Sequence, residues 1–544
     1  MAAQPVPRVP RLAPLESAIA TVAPGWALRR AQARRDYLRT EILTAQAGGY
    51  VAARRSRRAT QDWRPGGGSA NADLLPDLAD LRERSRDAAR NQPLAAGAIN
   101  TAVTSVVGSG LRPNAQIDAE VLGLDPDQAS AAEHALENEF FLWADSQECD
   151  YTRTQSFAEL QDTAFRSVLE SGDHFVALRF LERPGASLGL KLQLIEGDRV
   201  SNPNHRQDGA LLESGLRCYG GVEVAATGAP VRYWIRDQHP GDLYGARAAS
   251  RWVPVRVFDE QSGRRNVLHL FRRLRADQAR GVPYLAPALE SLKQLSRYSE
   301  AEMSAAVVAA LFTVAITTEG GSSDPLDLAR TAAETGAKRS DDDLRLGNGA
   351  ILSLSAGESV ETINPGRPNT AYEAFVQAIL REVGVSLEIP YELLTKHFTS
   401  SYSAARAALL EAWKFFRARR RWLVTTLCRP VYESVVTEAV ARGRLEAPGF
   451  FDDVTIRRAW LAAAWVGDSP GQIDPLREID AAKARNDLGI ETRASITAEI
   501  TGGDYERVHR QLVKEKRMRD RDGLSVVAPA AGEIEPVPDQ QQEA

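Results

Sequence analysis

The chain has 544 residues, 43% hydrophobic and 26% charged, with a net charge of −5. That is more than one hydrophobic core holds, so two to four compact regions are expected of an ordinary folded protein. Its three widely separated cysteines, Cys149, Cys218 and Cys428, exclude a disulfide framework and a zinc knuckle and fit a reducing compartment. No secretory leader pattern opens the chain, and no apolar run reaches the ~18 residues of a membrane span. Only eight of the 67 basic residues are Lys; an Arg bias suits bidentate phosphate contact, and GC-rich coding produces the same bias.

Residues 1–75 form a basic arm, Pro-rich, then Arg-rich, then Gly-rich; ten Arg lie between Arg29 and Arg64. Such a segment is partly disordered or a solvated helix. Leu74–Ile99 reads as helix, ended by a turn through Val103–Val107 and Gly108-Ser109-Gly110. Ala129–Trp143 and Ser156–Ser171 are amphipathic helices, the second closed by Gly172-Asp173. The apolar period then changes to two, predicting strands at 174–180, 190–195, 221–224, 231–235 and 267–271.

A long helix starts near Pro287 and runs to about Ala310, followed by an insert from Thr317 to Ile363 that holds Asp341-Asp342-Asp343. Tyr372, Phe375, Val376, Ile379, Leu380 and Val383 repeat at three and four and predict a second helix antiparallel to the first. A hydroxyl-rich loop comes next, Lys396-His397-Phe398-Thr399-Ser400-Ser401-Tyr402-Ser403. The helix after it carries Arg406, Lys414, Arg417, Arg419, Arg420 and Arg421 against Glu411 alone up to that point. Pro430 should kink this helix. Towards the C-terminus, Asp474-Pro475 and Asp504 open helices and Gly489 closes one; the Pro/Glu/Gln-rich tail 526–544 reads as disordered.

The scan for chemistry is negative. The sequence has no Gly-x4-Gly-Lys-Ser/Thr loop, no Gly-x-Ser-x-Gly elbow, no His-Glu-x-x-His helix and no Glu-x-Lys signature. His269 sits in the apolar run Val267–Phe271 and reads as a satisfied core or turn residue. His397 has hydroxyl neighbours but no orienting acid. We therefore expect no enzyme, no cofactor and no metal. The basic loop and helix point instead to a polyanion, contacted without sequence preference and in a salt-sensitive way. Arg417, Arg419, Arg420 and Arg421 are too close in sequence to share one helical face, so some must pair with acids or be solvated.

Several segments in fixed order resemble the portal proteins of tailed phages, specifically the lambda-type family. They are Arg86-Asp87-Ala88-Ala89-Arg90-Asn91 before Val106-Val107-Gly108-Ser109-Gly110-Leu111; Gly221-Val222-Glu223 with Gly228-x-Pro230-Val231-x-Tyr233; and His269-Leu270-Phe271 before Gln278-x-Arg280-Gly281-Val282-Pro283. Later come Gly357-Glu358, Pro390-Tyr391-Glu392-Leu393-Leu394, Ser401-Tyr402-Ser403-x-x-Arg406 and Ile473-Asp474-Pro475; relatives often have Asn where this chain has Ser401.

The resemblance implies an α+β portal fold that assembles as a ring, typically of twelve copies, at the unique vertex of a phage head. Double-stranded DNA would be packaged and ejected through it. It implies a wing (76–283), a first stem helix (284–312), a clip (313–365), a second stem helix (366–394), a channel loop (395–403), a kinked helix (404–440) and a crown (441–525). Implied partners are the terminase large subunit, a head–tail adaptor and the major capsid and scaffold proteins, with no membrane, in a virion assembled in the bacterial cytoplasm. DNA-channel candidates are Lys396, His397, Thr399, Ser400, Ser401, Ser403, Arg406, Lys414, Arg417, Arg420 and Arg421. Asp341, Asp342 and Asp343 are candidates to face terminase or adaptor, or else a solvated turn. The alternatives are a nucleic-acid-processing enzyme of the packaging apparatus, or a head-completion or scaffold factor.

Overall fold

A computed structural model describes parts of 23–63, then 65–242, 251–311, 315–318, 358–361, 371–398, 402–469, 471 and 475–524. It divides into two units, 1–69 and 70–544. In the first, residues 24–25, 29–30 and 32–37 are helical and exposed, as a solvated basic helix should be.

The second unit opens with α1 (Ala70–Leu74), α2 (Leu78–Asn91) and α3 (Pro93–Val106) where one helix was expected. Pro93 explains the break: it is tolerated at N1 of α3 but cannot continue α2. Residues 103–106, expected in a turn, belong to α3; the turn itself follows at 107–109. After β1 (Arg112–Ala115) and the short α4 (Ala119–Leu122) come α5 (Pro126–Ala144) and α6 (Phe157–Ser171). Both open on a capping box, Asp125 with Gln128 and Ser156 with Glu159, which satisfies orphan N–H groups of the first turn.

The strands that follow are β2 (Asp173–Phe180), β3 (Leu190–Glu196), β4 (Ala210–Leu211), β5 (Arg217–Tyr219), β6 (Val222–Val224), β7 (Pro230–Arg236), β8 (Trp252–Arg256) and β9 (Val267–Phe271). They form two antiparallel sheets, β3-β2-β9 and the meander β4-β5-β6-β7-β8. Strand β2 is buried on both faces. Val176 and Leu178 enter the large core, while Phe175 and Ala177 join Val222, Tyr233 and Ile235 in a smaller one. The sequence reading misses β4, β5 and β8: the first two are too short to show alternation, and Pro254 lies inside the third.

Next are α7 (Leu289–Leu311), the paired strands β10 (Ala315–Thr318) and β11 (Glu358–Glu361), and α8 (Tyr372–Ser386). Tyr284 Oη donates to the Leu387 carbonyl. Farther along, the Tyr298 and Tyr372 rings stack at 5.6 Å and Tyr372 Oη donates to Ser299 Oγ at 3.0 Å. Helices α7 and α8 therefore run in opposite directions.

After α9 (Tyr391–Thr395), α10 (Tyr402–Leu423) passes through a π-helical turn, Val424–Cys428, into α11 (Arg429–Ala441). Pro430 does not break the rod. It has no N–H to offer the carbonyl four residues back, and the helix widens there instead, Arg429 N–H bonding the Val424 carbonyl. The chain finishes with α12 (Val454–Trp460), β12 (Ala463–Val466), α13 (Pro475–Asp487), α14 (Arg493–Thr501) and α15 (Tyr505–Arg521). β12 pairs with β1 some 350 residues earlier, Arg112 opposite Val466. The expected helix boundaries at Pro475, Gly489 and Asp504 are all present; Asp474 lies outside the described residues. The large core joins Phe140 and Trp143 of α5, Phe157 and Phe165 of α6, Phe416 of α10 and Tyr432 of α11.

Candidate functional site

Pro390 fixes the start of α9, and Lys396 ends it in the left-handed region at φ 53°, its N–H donating to the Glu392 carbonyl. That turn sends the chain outward. Lys396, His397 and Phe398 are exposed; Thr399, Ser400 and Ser401 lie outside the described residues. On α10, Ala412, Phe415 and Phe416 are buried and set the rotation of the helix. The opposite face then carries Ser403, Arg406, Leu410, Lys414, Arg417 and Arg421, a line of three- and four-residue steps about 27 Å long at 1.5 Å per residue.

Charges on this line are loosely held. Arg406 lies 3.5 Å from Glu478, Lys414 2.6 Å from Glu411 and Arg417 3.5 Å from Glu499. Exposed pairs such as those of Lys414 and Arg417 contribute roughly 0–1 kcal/mol each, so these two cations remain available to a phosphate. Arg421 has no carboxylate partner among the described residues.

The other two arginines turn inward. Arg419 pairs with Glu388 at 3.3 Å and lies over the Phe415 ring at 4.7 Å. Arg420 donates to three carbonyls: Val106 at 3.1 Å, Ser105 at 3.0 Å and Asp468 at 2.9 Å. The first two belong to the last turn of α3, which has no N–H of its own to satisfy them. Burial pulls both guanidinium pKa values down from their usual value. Among the DNA-channel candidates Arg420 is thus the one whose donors are committed to the fold. Asp468, whose carbonyl Arg420 holds, accepts from Ser109 N–H at 2.8 Å and Ser109 Oγ at 2.6 Å. One knot thus joins α10, the turn after α3 and the segment after β12.

A second concentration of charge is buried. Asp173, fully enclosed at the start of β2, accepts from Arg82 Nη2 at 2.6 Å, Arg280 Nε at 2.5 Å, Arg280 Nη2 at 3.1 Å and Gly281 N–H at 3.2 Å. Arg280 also reaches the carbonyls of Val200 at 2.7 Å and Gly197 at 2.6 Å. Burial opposes ionisation of Asp173, but Arg280 and Arg82 outweigh it and hold the carboxyl well below its usual range. His269 stacks between Phe175 at 4.1 Å and Phe271 at 4.2 Å, and burial lowers its pKa to about 4. It is a neutral core residue, as the sequence suggested. Gly172 and Gly281 let two backbones cross here; a Cβ on Gly281 would stand 1.9 Å from the Gly172 oxygen. Nothing in the sequence links Arg82, Asp173 and Arg280, which belong to distant segments.

Among the described residues, Glu196, Asp198 and His239 come close enough to hold a metal ion. Their chemistry argues against it. Asp198 is paired with Arg86, and His239 Nδ1 accepts from Gly241 N–H at 3.0 Å, which leaves the proton on Nε2, the nitrogen that faces Glu196.

Compared with known families, residues 56–420 match the model described as "Phage portal protein, lambda family". The chain belongs to the lambda family of phage portal proteins. It is 25% identical over 494 residues to portal protein B of Escherichia phage lambda, covering 87% of this chain and 90% of that one. It is 26% identical over 491 residues to the portal protein of Escherichia phage N15, with the same coverage. Among solved structures, a chain from the neck of the native GTA particle is 13% identical, covers 77% of this chain and 92% of its own, and gives a TM-score of 0.39.

This portal protein is thus a component of the phage head–tail connector and of the virion, from a family that is structural rather than enzymatic. No helix among the described residues is long and apolar enough to cross a membrane. Of the candidate residues, Lys396, His397, Ser403, Arg406, Lys414, Arg417 and Arg421 fall on one loop and one helix face. Asp341, Asp342 and Asp343 lie outside the described residues.

Proposed function

We propose that this portal protein assembles as a ring, typically of twelve copies, at the unique capsid vertex and conducts double-stranded DNA in both packaging and ejection. In this reading the wing is 76–283, the stems are 284–312 and 366–394, the clip is 313–365, the channel loop is 395–403, the kinked helix is 404–440 and the crown is 441–525. The loop and the exposed line of α10 face the moving duplex, and the clip, with Asp341–Asp343, meets the terminase large subunit and then the head–tail adaptor. Capsid and scaffold proteins surround the ring, which forms in the bacterial cytoplasm.

The observation that carries the reading is the exposed line from Ser403 to Arg421. Its cations are spaced along one face, and Lys414 and Arg417 are held there by weak surface pairs, which suits a duplex that must slide. A tight multipoint grip would stall translocation. The hydroxyls and near-neutral loop before the helix give the same low-friction character.

The test is the mass and image of the purified full chain. A closed ring with an axial hole is expected. A monomer or a solid particle overturns the reading in favour of a head-completion or scaffold role. ATP turnover or metal-dependent DNA cleavage overturns it in favour of a processing enzyme.

A further inference from the structure

Helix α15 carries a pattern that the channel reading does not use. Arg507, Arg510, Lys514, Arg517 and Arg521 follow one another at steps of three, four, three and four. On a helix these fall within a single narrow stripe, about 21 Å long at 1.5 Å per residue. The acids Glu506, Glu515 and Asp520 lie off its centre. Lys516 and Arg519 lie on the opposite face, and Arg521 at the end of the stripe pairs with Asp522 at 2.8 Å.

The stripe stands over a cleft. A cavity of about 460 Å³ separates α15 from α5, with Arg507, Arg510 and Lys514 on one wall and Arg112 and His134 on the other. Two acids also reach it, Glu137 and Asp145. The Glu137 carboxyl is engaged by Ala115 N–H at 3.0 Å, and burial raises its pKa. Arg112, Arg507, Lys514 and Arg517 have no carboxylate partner among the described residues. Arg510 has only Glu506, at 3.8 Å on its own helix. The contrast with Arg82, Arg280, Arg419 and Arg420, all bound within the fold, is sharp.

The cleft is also held in place. Asp504 caps α15, accepting from the N–H groups of Glu506 at 3.0 Å and Arg507 at 3.3 Å. Gly502, at φ 65°, lies so near the segment after β12 that a Cβ would stand 2.9 Å from the Gly467 carbonyl. Helix α15 is therefore fixed at its start to the segment that Arg420 and Ser109 hold.

We propose that the cleft between α5 and α15 is a phosphate-binding site for the nucleic-acid backbone, distinct from the line on α10. Charge complementarity supports this: Arg112, Arg507 and Lys514, without a carboxylate partner among the described residues, and Arg510, in one weak pair, line an open cleft that suits a row of phosphodiesters, and Arg forks pair with phosphate bidentately. Contacts of this kind hold the polyanion without reading sequence. The inference rests on the reading of the chain as a DNA conduit for the supply of DNA, and its test separates the two.

The experiment uses the full-chain oligomer and a labelled random-sequence duplex, with anisotropy measured across a salt series. In R507Q/R510Q/K514Q, affinity near 0.1 M salt falls about tenfold or more, and the slope of log K against log salt becomes shallower by roughly 2–3, about 0.9 per lost phosphate contact. A control removing equal charge elsewhere, R84Q/R153Q/R166Q, leaves the slope unchanged. Unchanged binding by the α15 variant, or equal loss in the control, overturns the site. Tighter binding of polyglutamate than of duplex overturns it in favour of an acidic protein partner. Displacement of the duplex by inorganic tripolyphosphate at equal phosphate concentration overturns it in favour of a free-polyphosphate site. If the triple variant does not assemble, Lys514→Gln decides by the same readout, with a slope change of about 0.9. Intact rings with unchanged DNA binding defeat this inference alone; absence of rings in the wild type defeats the conduit reading.

Discussion

Asp173 with its two arginines and the exposed line on α10 use the same side chain in opposite ways. At Asp173, Arg82 and Arg280 are 5% and 2% exposed, and every bond they make is internal. On α10, Arg417 is 59% exposed and touches one distant carboxylate. Buried, a guanidinium is costly unless its donors are all met, so the site becomes rigid and intolerant. In water the same group is nearly free of its neighbours and is left for a partner. In this chain, exposure and pairing, rather than residue type, separate the arginines that build the fold from those available for function.

The largest effect should come from Asp173→Asn, which leaves two buried cations facing a neutral group. We expect a loss of about 3–5 kcal/mol, read as a strongly lowered unfolding midpoint or insoluble protein; a wild-type midpoint would break the comparison. Acid should act in the same region. The folded-state pKa of His269 lies near 4, below its unfolded value, so the unfolded chain takes up the proton first. Stability is therefore complete above the usual histidine range and is lost as pH falls towards 4. The effect is on the order of 1–3 kcal/mol, and thermal unfolding at pH 7 and pH 5 measures it. Burial holds His174 near 4 as well, so His269→Gln should flatten that pH dependence only in part.

Arg420→Ala sits between the two regimes. It strips the carbonyls of Ser105, Val106 and Asp468 of their donor and should cost roughly 1–3 kcal/mol in chemical denaturation. The Lys variant should recover part of this, because one ammonium cannot span three carbonyls as a fork does. The smallest stability effect belongs to Arg417→Gln with Arg421→Gln, within about 0.5 kcal/mol. Its consequence should appear in packaged-DNA content instead, and normal packaging by that variant would remove the α10 line from the conduit.

Much of this was legible beforehand, for local reasons. The apolar side of α10 could be read in part from Leu409, Leu410, Trp413 and Phe416, but Leu410 is 59% exposed and lies on the charged line, because the buried face is centred on Ala412, Phe415 and Phe416. The inward turn of part of the Arg417–Arg421 cluster was also foreseeable, since consecutive residues cannot share a face. Which of them turned was not. Arg420 is recruited by carbonyls of residues 105, 106 and 468, and no pattern near position 420 announces them. The α15 stripe could have been found at the same stage from its three- and four-residue spacing. Its meaning depended on α5 lying across from it.

The sequence by itself determined helix and strand periods, the cap at Asp504, and the family to which the chain belongs. All of these are written in residues a few positions apart or in the order of short motifs. Only the tertiary structure decided that β1 pairs with β12, that Arg82 and Arg280 close on Asp173, and that Arg420 is spent on the end of α3. Each of those contacts joins distant segments, and its energy comes from burying a polar group that must then find a partner wherever the fold supplies one.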